Sequence, residues 1–405
     1  MKRFLALLLL TSLLCACIPA GASNDLMAAV TPGSVSAAEA TDDDAAAIAD
    51  LALTLLRDED IRGGNTLISP LSITAALGMT AGGAAGETLA QMESTLGLSR
   101  DRLNAVMAGL PRDGDATLHL ANGIWFRDHD LTVSPAFLQT NADYYGAAAR
   151  QAAMTDATRR EINAFIEENT AGMIEDMLDK GTITDDTVMV LVNALAFEAE
   201  WASVYTKSDV RDGDFTTAAG ETVTADLMYG AESTYLADGN AAGFVKYYKG
   251  RDYAFAALLP NEGTTLDDYL ASLDGARLIS ILANAESTLV KTALPKFEYD
   301  CTYSLAEPLA RAGMPAAFDP NSADFSAMAE STRGNIYIDR VLHKTFISVA
   351  EKGTRAGAAT VVMANDSAAP DMEVKRIYLT RPFLYMIIDC ATNLPVFIGT
   401  VADPT

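Results

Sequence analysis

The sequence predicts a single α+β domain over residues 46–405. Half of the 405 residues are apolar, which is enough to bury a large core. The run Val188–Val192 is apolar at successive positions, which is typical of a strand in a sheet covered on both faces. Helical and strand-like stretches do not alternate strictly, and neither a Pro/Gly-rich linker nor a long-period repeat interrupts the domain. These features favour α+β over a doubly wound parallel sheet.

Residues 1–22 have the pattern of a signal peptide. Two basic residues precede the apolar run Phe4–Leu14, which is too short to anchor stably across a bilayer. Two processing routes remain open. The small residues Ala20–Ala22 permit cleavage before Ser23, whereas Leu14–Cys17 resembles a lipobox with Cys17 as the lipidated residue. Either route predicts an extracellular protein, secreted or anchored to the outer face of a membrane by its N-terminal lipid.

Residues 23–45 are predicted to form a flexible linker. They are rich in Ala, Ser, Thr, Gly and Asp and lack apolar periodicity. Such a linker suits a domain tethered to a membrane surface.

Apolar periodicity predicts the order of elements in the domain. Helices are predicted at 46–57, 71–81, 86–96, 134–145, 158–172, 265–274 and 304–313. Strands are predicted at 119–126, 188–197, 253–259, 289–295, 336–350, 375–379, 383–389 and 395–400.

Composition excludes several classes of function. The chain has 29 Lys and Arg against 54 Asp and Glu, so it lacks the basic footprint of a nucleic-acid-binding protein. Its three His and four Cys form no zinc-like cluster, and we expect neither metal nor cofactor. The motifs of serine hydrolases, P-loop proteins and zinc proteases are absent. Cys301 and Cys390 are most simply free thiols, although their spacing alone leaves a disulfide open.

The stretch 351–370 connects two strong strand patterns and is unusually long for a connection within a domain. Alternate positions from Thr354 to Ala364 are small or β-branched and uncharged, whereas Arg355 lies on the other parity. This pattern is typical of a strand that buries one face. The loop therefore has a composition suited either to exposure or to insertion into a sheet.

An ordered set of motifs resembles the serpin family over nearly all of residues 46–405. These motifs are, in chain order, Asn65–Ile73, Ala76–Met79, Gly83–Thr88, Leu120–Phe126, Ile162–Ile174, Val192–Trp201, Leu294–Phe297, Ala323–Ser326, His343–Lys344 and Arg381–Leu384. The resemblance implies the serpin fold, with three β-sheets, eight or nine helices and an exposed reactive-centre loop. It also implies a protease inhibitor, not an enzyme.

The family resemblance implies a suicide mechanism. A serine protease attacks the loop and forms an acyl-enzyme, and the cleaved loop then inserts into the large sheet and traps the protease. Glu351–Thr354 resembles the hinge of inhibitory members, with Ala356 and Ala358 following on the uncharged parity. Counting seventeen residues from Glu351 predicts the reactive bond at Ser367–Ala368.

Two further groups of residues match functional parts of the family. Ser69, Ser72, Asn193 and His343 match the shutter, a polar cluster beneath the point where the large sheet opens. Trp201 matches the breach, the point at which the loop enters the sheet. The alternatives are a satisfied buried polar network for the shutter residues and ordinary core packing for Trp201.

The loop composition also predicts the target. Small residues around the reactive bond favour an elastase-like or subtilisin-like serine protease, whereas cleavage after Asp366 would indicate an acid-specific protease. The alternative function is a non-inhibitory serpin-like binding or carrier protein. Bulky or charged residues in place of Thr354, Ala356 or Ala358 would have favoured this alternative.

Other partners are not expected. Arg100, Arg102 and Arg112 are scattered among acidic residues and do not form a basic helix for a polyanion. We expect a monomer with no nucleic-acid partner and a possible membrane tether only through the N-terminus.

Overall fold

The computed structural model describes residues 23–110, 117–354 and 374–405. Within these ranges the chain forms nine α-helices and eighteen strands. The helices are α1 (Asp42–Leu56), α2 (Pro70–Ala81), α3 (Gly86–Leu96), α4 (Arg100–Gly109), α5 (Pro135–Thr140), α6 (Asp156–Asn169), α7 (Leu266–Ser272), α8 (Gly275–Ala283) and α9 (Ala306–Ala312). A π-helix, Asn141–Tyr145, continues α5.

The strands fall into three sheets, and the predicted α+β architecture is confirmed. A seven-stranded sheet has the order β1-β5-β3-β6-β15-β14-β12, a nine-stranded sheet contains β16-β11-β8-β9-β10-β17-β18-β2 with β7 paired to β8, and β13 pairs with β4. The strands are β1 (Asn24–Asp25), β2 (Thr66–Ile68), β3 (Thr117–Arg127), β4 (Leu131–Val133), β5 (Ala148–Ala152), β6 (Met189–Glu200), β7 (Val210–Thr216), β8 (Thr222–Ala237), β9 (Ala241–Tyr247), β10 (Tyr253–Pro260), β11 (Glu286–Pro295), β12 (Phe297–Ser304), β13 (Ala329–Ser331), β14 (Val341–Ala350), β15 (Gly353–Thr354), β16 (Lys375–Tyr378), β17 (Phe383–Asp389) and β18 (Pro395–Val401).

The seven-stranded sheet is covered on both faces, as the apolar run in β6 predicts. Met189 and Leu191 belong to the main core, whereas Val190 and Val192 pack in a second cluster with Ile162 of α6. Alternate residues of one strand therefore serve two cores, because successive side chains of a strand point to opposite faces.

The prediction that residues 23–45 form a flexible linker is wrong. β1 pairs with β5, the N–H of Leu26 donates to the carbonyl of Ala149 at 2.9 Å, and the N–H of Ala38 donates to the carbonyl of Ala105 at 2.9 Å. Backbone groups make these contacts, so small and polar residues dock without any apolar periodicity that a sequence reading would detect.

Several element boundaries differ from the prediction for local reasons. The first helix begins at Asp42 instead of residue 46, because Thr41 and Asp44 form a capping box. Helix α6 ends at Asn169 rather than at residue 172, because Ala171 and Gly172 have φ angles of 51° and 69°. The strand predicted from residue 336 begins at Val341, and the predictions did not include α4, α8 or strands β7 to β9.

Within the described part of the chain, no helix is both long and apolar enough to span a bilayer.

Candidate functional site

Two of the predicted hinge residues lie inside the seven-stranded sheet. Gly353 and Thr354 form β15, which runs antiparallel to both β6 and β14 and pairs with Ala199 and Glu200 on one side. The φ angle of Gly353 is 156°, and a Cβ atom there would lie 2.1 Å from the carbonyl oxygen of Ala199. Only glycine fits at this position.

Thr354 faces the core, as the parity of the loop predicts. Its side chain is 2% exposed, and its hydroxyl lies 2.6 Å from the hydroxyl of Tyr248. Tyr248 in turn stacks on Trp201, with ring centroids 4.4 Å apart. The first residue that would enter the sheet is therefore already buried and hydrogen-bonded.

Strands β6 and β14 diverge between their two ends. At one end they pair directly and in parallel, Leu191–Ala194 against Val341–Lys344. At the other end β15 lies between them, beside Ala199 and Val349. The two strands have thus separated by the width of one strand near the hinge while remaining paired at the opposite end. A longer segment continuing from Thr354 would run along β6 towards the parallel pair.

Trp201 binds the chain that leads into the hinge. Its indole N–H donates to the carbonyl of Ala350 at 2.8 Å, and its backbone N–H donates to the carbonyl of Lys352 at 2.8 Å. The N–H of Tyr205 donates to the carbonyl of Glu351, also at 2.8 Å. We call Trp201–Tyr205 the breach turn, since it holds three consecutive carbonyls at the tip of the β14–β15 hairpin.

An ion pair fixes the first hinge residue. The carboxylate of Glu351 lies 3.3 Å from the ammonium of Lys296, which also contacts Asp226 at 2.8 Å. The hydrogen bond that Lys296 donates to Asp226, followed by the one that it donates to Glu351, raises the pKa of Lys296. Sequence reasoning identified Glu351 but missed Lys296 as its partner, because the two residues are far apart in the chain.

Three of the four predicted shutter residues meet directly. The backbone N–H of Ser69 donates to Nε2 of His343 at 3.0 Å, and the hydroxyl of Ser69 accepts from the N–H of Ser72 at 3.1 Å. Burial lowers the pKa of His343 to about 3, so its imidazole is neutral and Nε2 is free to accept. Ser69 also caps α2.

Asn193 lies beside this cluster and extends it across the sheet. It is opposite His343 in the parallel ladder, and its amide donates to the side-chain carbonyl of Asn122 on β3. The hydroxyl of Ser72 and the side-chain carbonyl oxygen of Asn193 are buried without a hydrogen-bond partner among the described residues. The structure therefore brings the four residues together. The unpartnered oxygens of Ser72 and Asn193 could accept new hydrogen bonds where β6 and β14 would separate.

The remaining predicted site residues lie outside the described residues. These are Cys17, Ala356, Ala358, Ser367 and Ala368. Cys301 and Cys390 are free thiols in the structure. Among the described residues no group of three or more His, Cys, Asp or Glu side chains is arranged to hold a metal ion.

Comparisons with known proteins agree with this geometry. The family model Serpin (serine protease inhibitor) matches residues 46–404. The leukocyte elastase inhibitor of Bos taurus is 30% identical over 373 residues, covering 88% of this chain and 97% of that protein.

Solved structures of serpins are also similar to this chain. The thermophilic serpin tengpin in its native state has a TM-score of 0.88 and 42% identity, covering 94% of this chain and 99% of that one. Human thyroxine-binding globulin, solved with its hormone, has a TM-score of 0.77 and 25% identity, covering 89% of this chain and 98% of that one.

Proposed function

Because the chain belongs to the serpin family, we propose that it is a suicide-type inhibitor of an extracellular serine protease, which it traps by inserting its cleaved reactive-centre loop into the seven-stranded sheet. The position of β15 carries this proposal. Two hinge residues already occupy the place of an additional strand between β6 and β14. The uncharged parity of the following residues supplies side chains that the same face of the sheet can bury.

The energy for trapping comes from strand addition. An inserted segment of about ten residues gains roughly ten ladder hydrogen bonds, which supply on the order of 10 kcal/mol at about 0.5–1.5 kcal/mol each. That free energy becomes available only after cleavage, because the uncut loop is tied at its far end to β16 in the other sheet.

The loop residues support a target with a preference for small side chains. Ser367 and Ala368 flank the proposed reactive bond, which favours an elastase-like or subtilisin-like protease. The name of the bovine relative, leukocyte elastase inhibitor, supports the same class. The basic residues and short apolar run at the N-terminus support an extracellular location, with the protein released or tethered through Cys17.

A non-inhibitory carrier is the second candidate, because thyroxine-binding globulin shares the fold. The hinge argues against it. Thr354 is buried beside Ala199, so a strand that insertion would extend is already present, which favours an inhibitor.

A protease panel tests the proposal. The protein is mixed with elastase-like, subtilisin-like and trypsin-like serine proteases, and an inhibitor gives a covalent complex that survives SDS. The cleaved protein is then heated. We expect its Tm to exceed that of the intact protein by tens of degrees, because an exposed loop has become a paired central strand. Cleavage without an SDS-stable complex, and with a Tm within a few degrees of the intact form, would overturn the inhibitor proposal and favour the carrier alternative.

A further inference from the structure

A buried ion pair lies behind the breach turn, and the mechanism described above gives it no role. Lys246 on β9 is 2% exposed, and its ammonium lies 2.8 Å from the carboxylate of Glu232 on β8. A cation in the interior of a mainly apolar strand is unfavourable unless its charge and its hydrogen bonds are satisfied. A hydrophobic pair would fill the same volume without that cost, so the contacts of the ammonium indicate what it does.

The ammonium of Lys246 contacts three residues of the breach turn. It donates to the carbonyl of Ser203 at 3.0 Å. It also lies 4.3 Å from the ring centroid of Tyr205 and 5.4 Å from that of Trp201. Cations within about 6 Å of an aromatic centroid are attracted to the ring. One side chain therefore contacts the beginning, the middle and the end of the turn.

The breach turn also contacts the hinge. Trp201 and Tyr205 together donate to the carbonyls of Ala350, Glu351 and Lys352, which form the tip of the β14–β15 hairpin. Glu232 completes the chain of contacts by fixing the ammonium from the opposite side. The path runs from Glu232 through Lys246 to the turn and from the turn to the hinge.

We propose that Lys246, held by Glu232, is a positioning residue for loop insertion that keeps the tip of the hinge hairpin in the geometry an inserted strand requires. The proposal rests on the proposed inhibitory function. In this arrangement the hairpin exists before cleavage, and insertion extends a ladder that has already begun. Without the ammonium, the carbonyl of Ser203 in the breach turn loses its hydrogen bond, the hairpin tip becomes mobile, and insertion starts more slowly. Slower insertion gives the acyl-enzyme more time to hydrolyse, so more inhibitor is consumed for each protease trapped.

The test uses the full chain and the double variant Lys246→Met with Glu232→Leu, which removes the pair without leaving a buried unpaired charge. Two quantities are measured. Hydrogen exchange by mass spectrometry follows the peptide 200–206, which contains the amides of Trp201 and Tyr205. Titration against a susceptible protease gives the number of inhibitor molecules consumed per protease inactivated. We expect exchange in this peptide to accelerate at least tenfold and consumption to rise at least threefold, with exchange in β10 unchanged.

The comparison variant is Glu232→Gln, which keeps Lys246 and an oxygen that accepts its hydrogen bond but leaves the buried charge of Lys246 unbalanced. Because the ammonium can still donate to Ser203, we expect both quantities to change less than in the double variant. If the double variant does not fold, Lys246→Gln with Glu232→Gln replaces it with the same expectation, because the neutral amide is one atom shorter than the lysine. A double variant that leaves either quantity at its wild-type value overturns the proposal. Should the wild type trap no protease, the inhibitory function fails separately, and hydrogen exchange alone decides whether Lys246 holds the turn.

Discussion

Replacing Thr354 with arginine tests insertion at its first step. Thr354 is 2% exposed and its hydroxyl meets that of Tyr248, so a guanidinium at this position would replace a buried hydroxyl with a charge that solvent does not reach. The variant has two ways to respond. It can bury the charge, which costs several kcal/mol, or it can expel β15 from the sheet.

Expulsion of β15 costs less free energy than burial of the charge. It sacrifices the ladder of two residues with Ala199 and Glu200 on one side and with Val349 and Ala350 on the other. At about 0.5–1.5 kcal/mol per hydrogen bond this loss is on the order of 3 kcal/mol. In the variant, insertion must first re-form this ladder, so the lost free energy adds to the barrier for insertion. Since about 1.4 kcal/mol corresponds to a factor of ten in rate, insertion slows by about a hundredfold.

The assay is the number of inhibitor molecules consumed per protease inactivated, which equals one plus the ratio of acyl-enzyme hydrolysis to insertion. With insertion slowed a hundredfold, we expect the Thr354→Arg variant to be cleaved as a substrate where the wild type inhibits. Thr354→Ser is the matched control, because it keeps the hydroxyl that meets Tyr248 and should inhibit as the wild type does. If the ratio of hydrolysis to insertion, which is the consumed number minus one, rises less than about tenfold in Thr354→Arg, β15 is not the start of insertion and the reasoning fails.

Two other predictions follow from the loop and the shutter. An inhibited protease should release a C-terminal peptide that begins at Ala368, within one residue, and mass spectrometry of that peptide checks the count of seventeen residues from Glu351. The second concerns pH. Burial lowers the pKa of His343 to about 3, against about 6.5 in the unfolded chain, so the unfolded state binds more protons and stability falls as the pH decreases from about 6.5 towards 3. Between pH 6.5 and 4.5 the loss is about 2–3 kcal/mol, and His343→Gln should remove that part of the slope in urea unfolding; an unchanged slope would mean that another group controls it.

The sequence predicted the parts of the fold that depend on local pattern. The continuous apolar run in β6 predicted a sheet covered on both faces, and Val190 and Val192 do face one core while Met189 and Leu191 face the other. The parity of the loop likewise predicted that Thr354 is buried. Both inferences use only the period of a strand, which is a property of neighbouring residues.

Other parts depend on distant contacts that no local pattern records. A lysine in β9 gives no sign that its partner is Glu232 on the adjacent strand or that its ammonium reaches Ser203. The same holds for Lys296, which meets Glu351 across 55 residues of chain. The flexible linker predicted for residues 23–45 is wrong for the same reason, because the hydrogen bonds and the packing of Leu26, Met27 and Val30 that dock this segment involve residues distant in the chain.

In the proposed mechanism, topology explains why insertion needs cleavage although Gly353 and Thr354 are already in the sheet. β15 lies in the seven-stranded sheet, whereas β16 lies in the nine-stranded sheet, parallel to β11 at Val290–Ala293. The intact connection is bound at both ends, so each residue that follows Thr354 into the first sheet shortens the chain left to reach the second. Cutting the connection removes that restraint while leaving the hairpin of β14 and β15 intact. The free segment then adds residues to an existing ladder and does not have to nucleate a new one, so its first steps avoid the entropic cost of closing a loop. Under the proposed mechanism, a protease that cuts the loop would meet a sheet whose opening has already begun, and the outcome would depend on how firmly the breach turn holds the hairpin tip while the acyl-enzyme lasts.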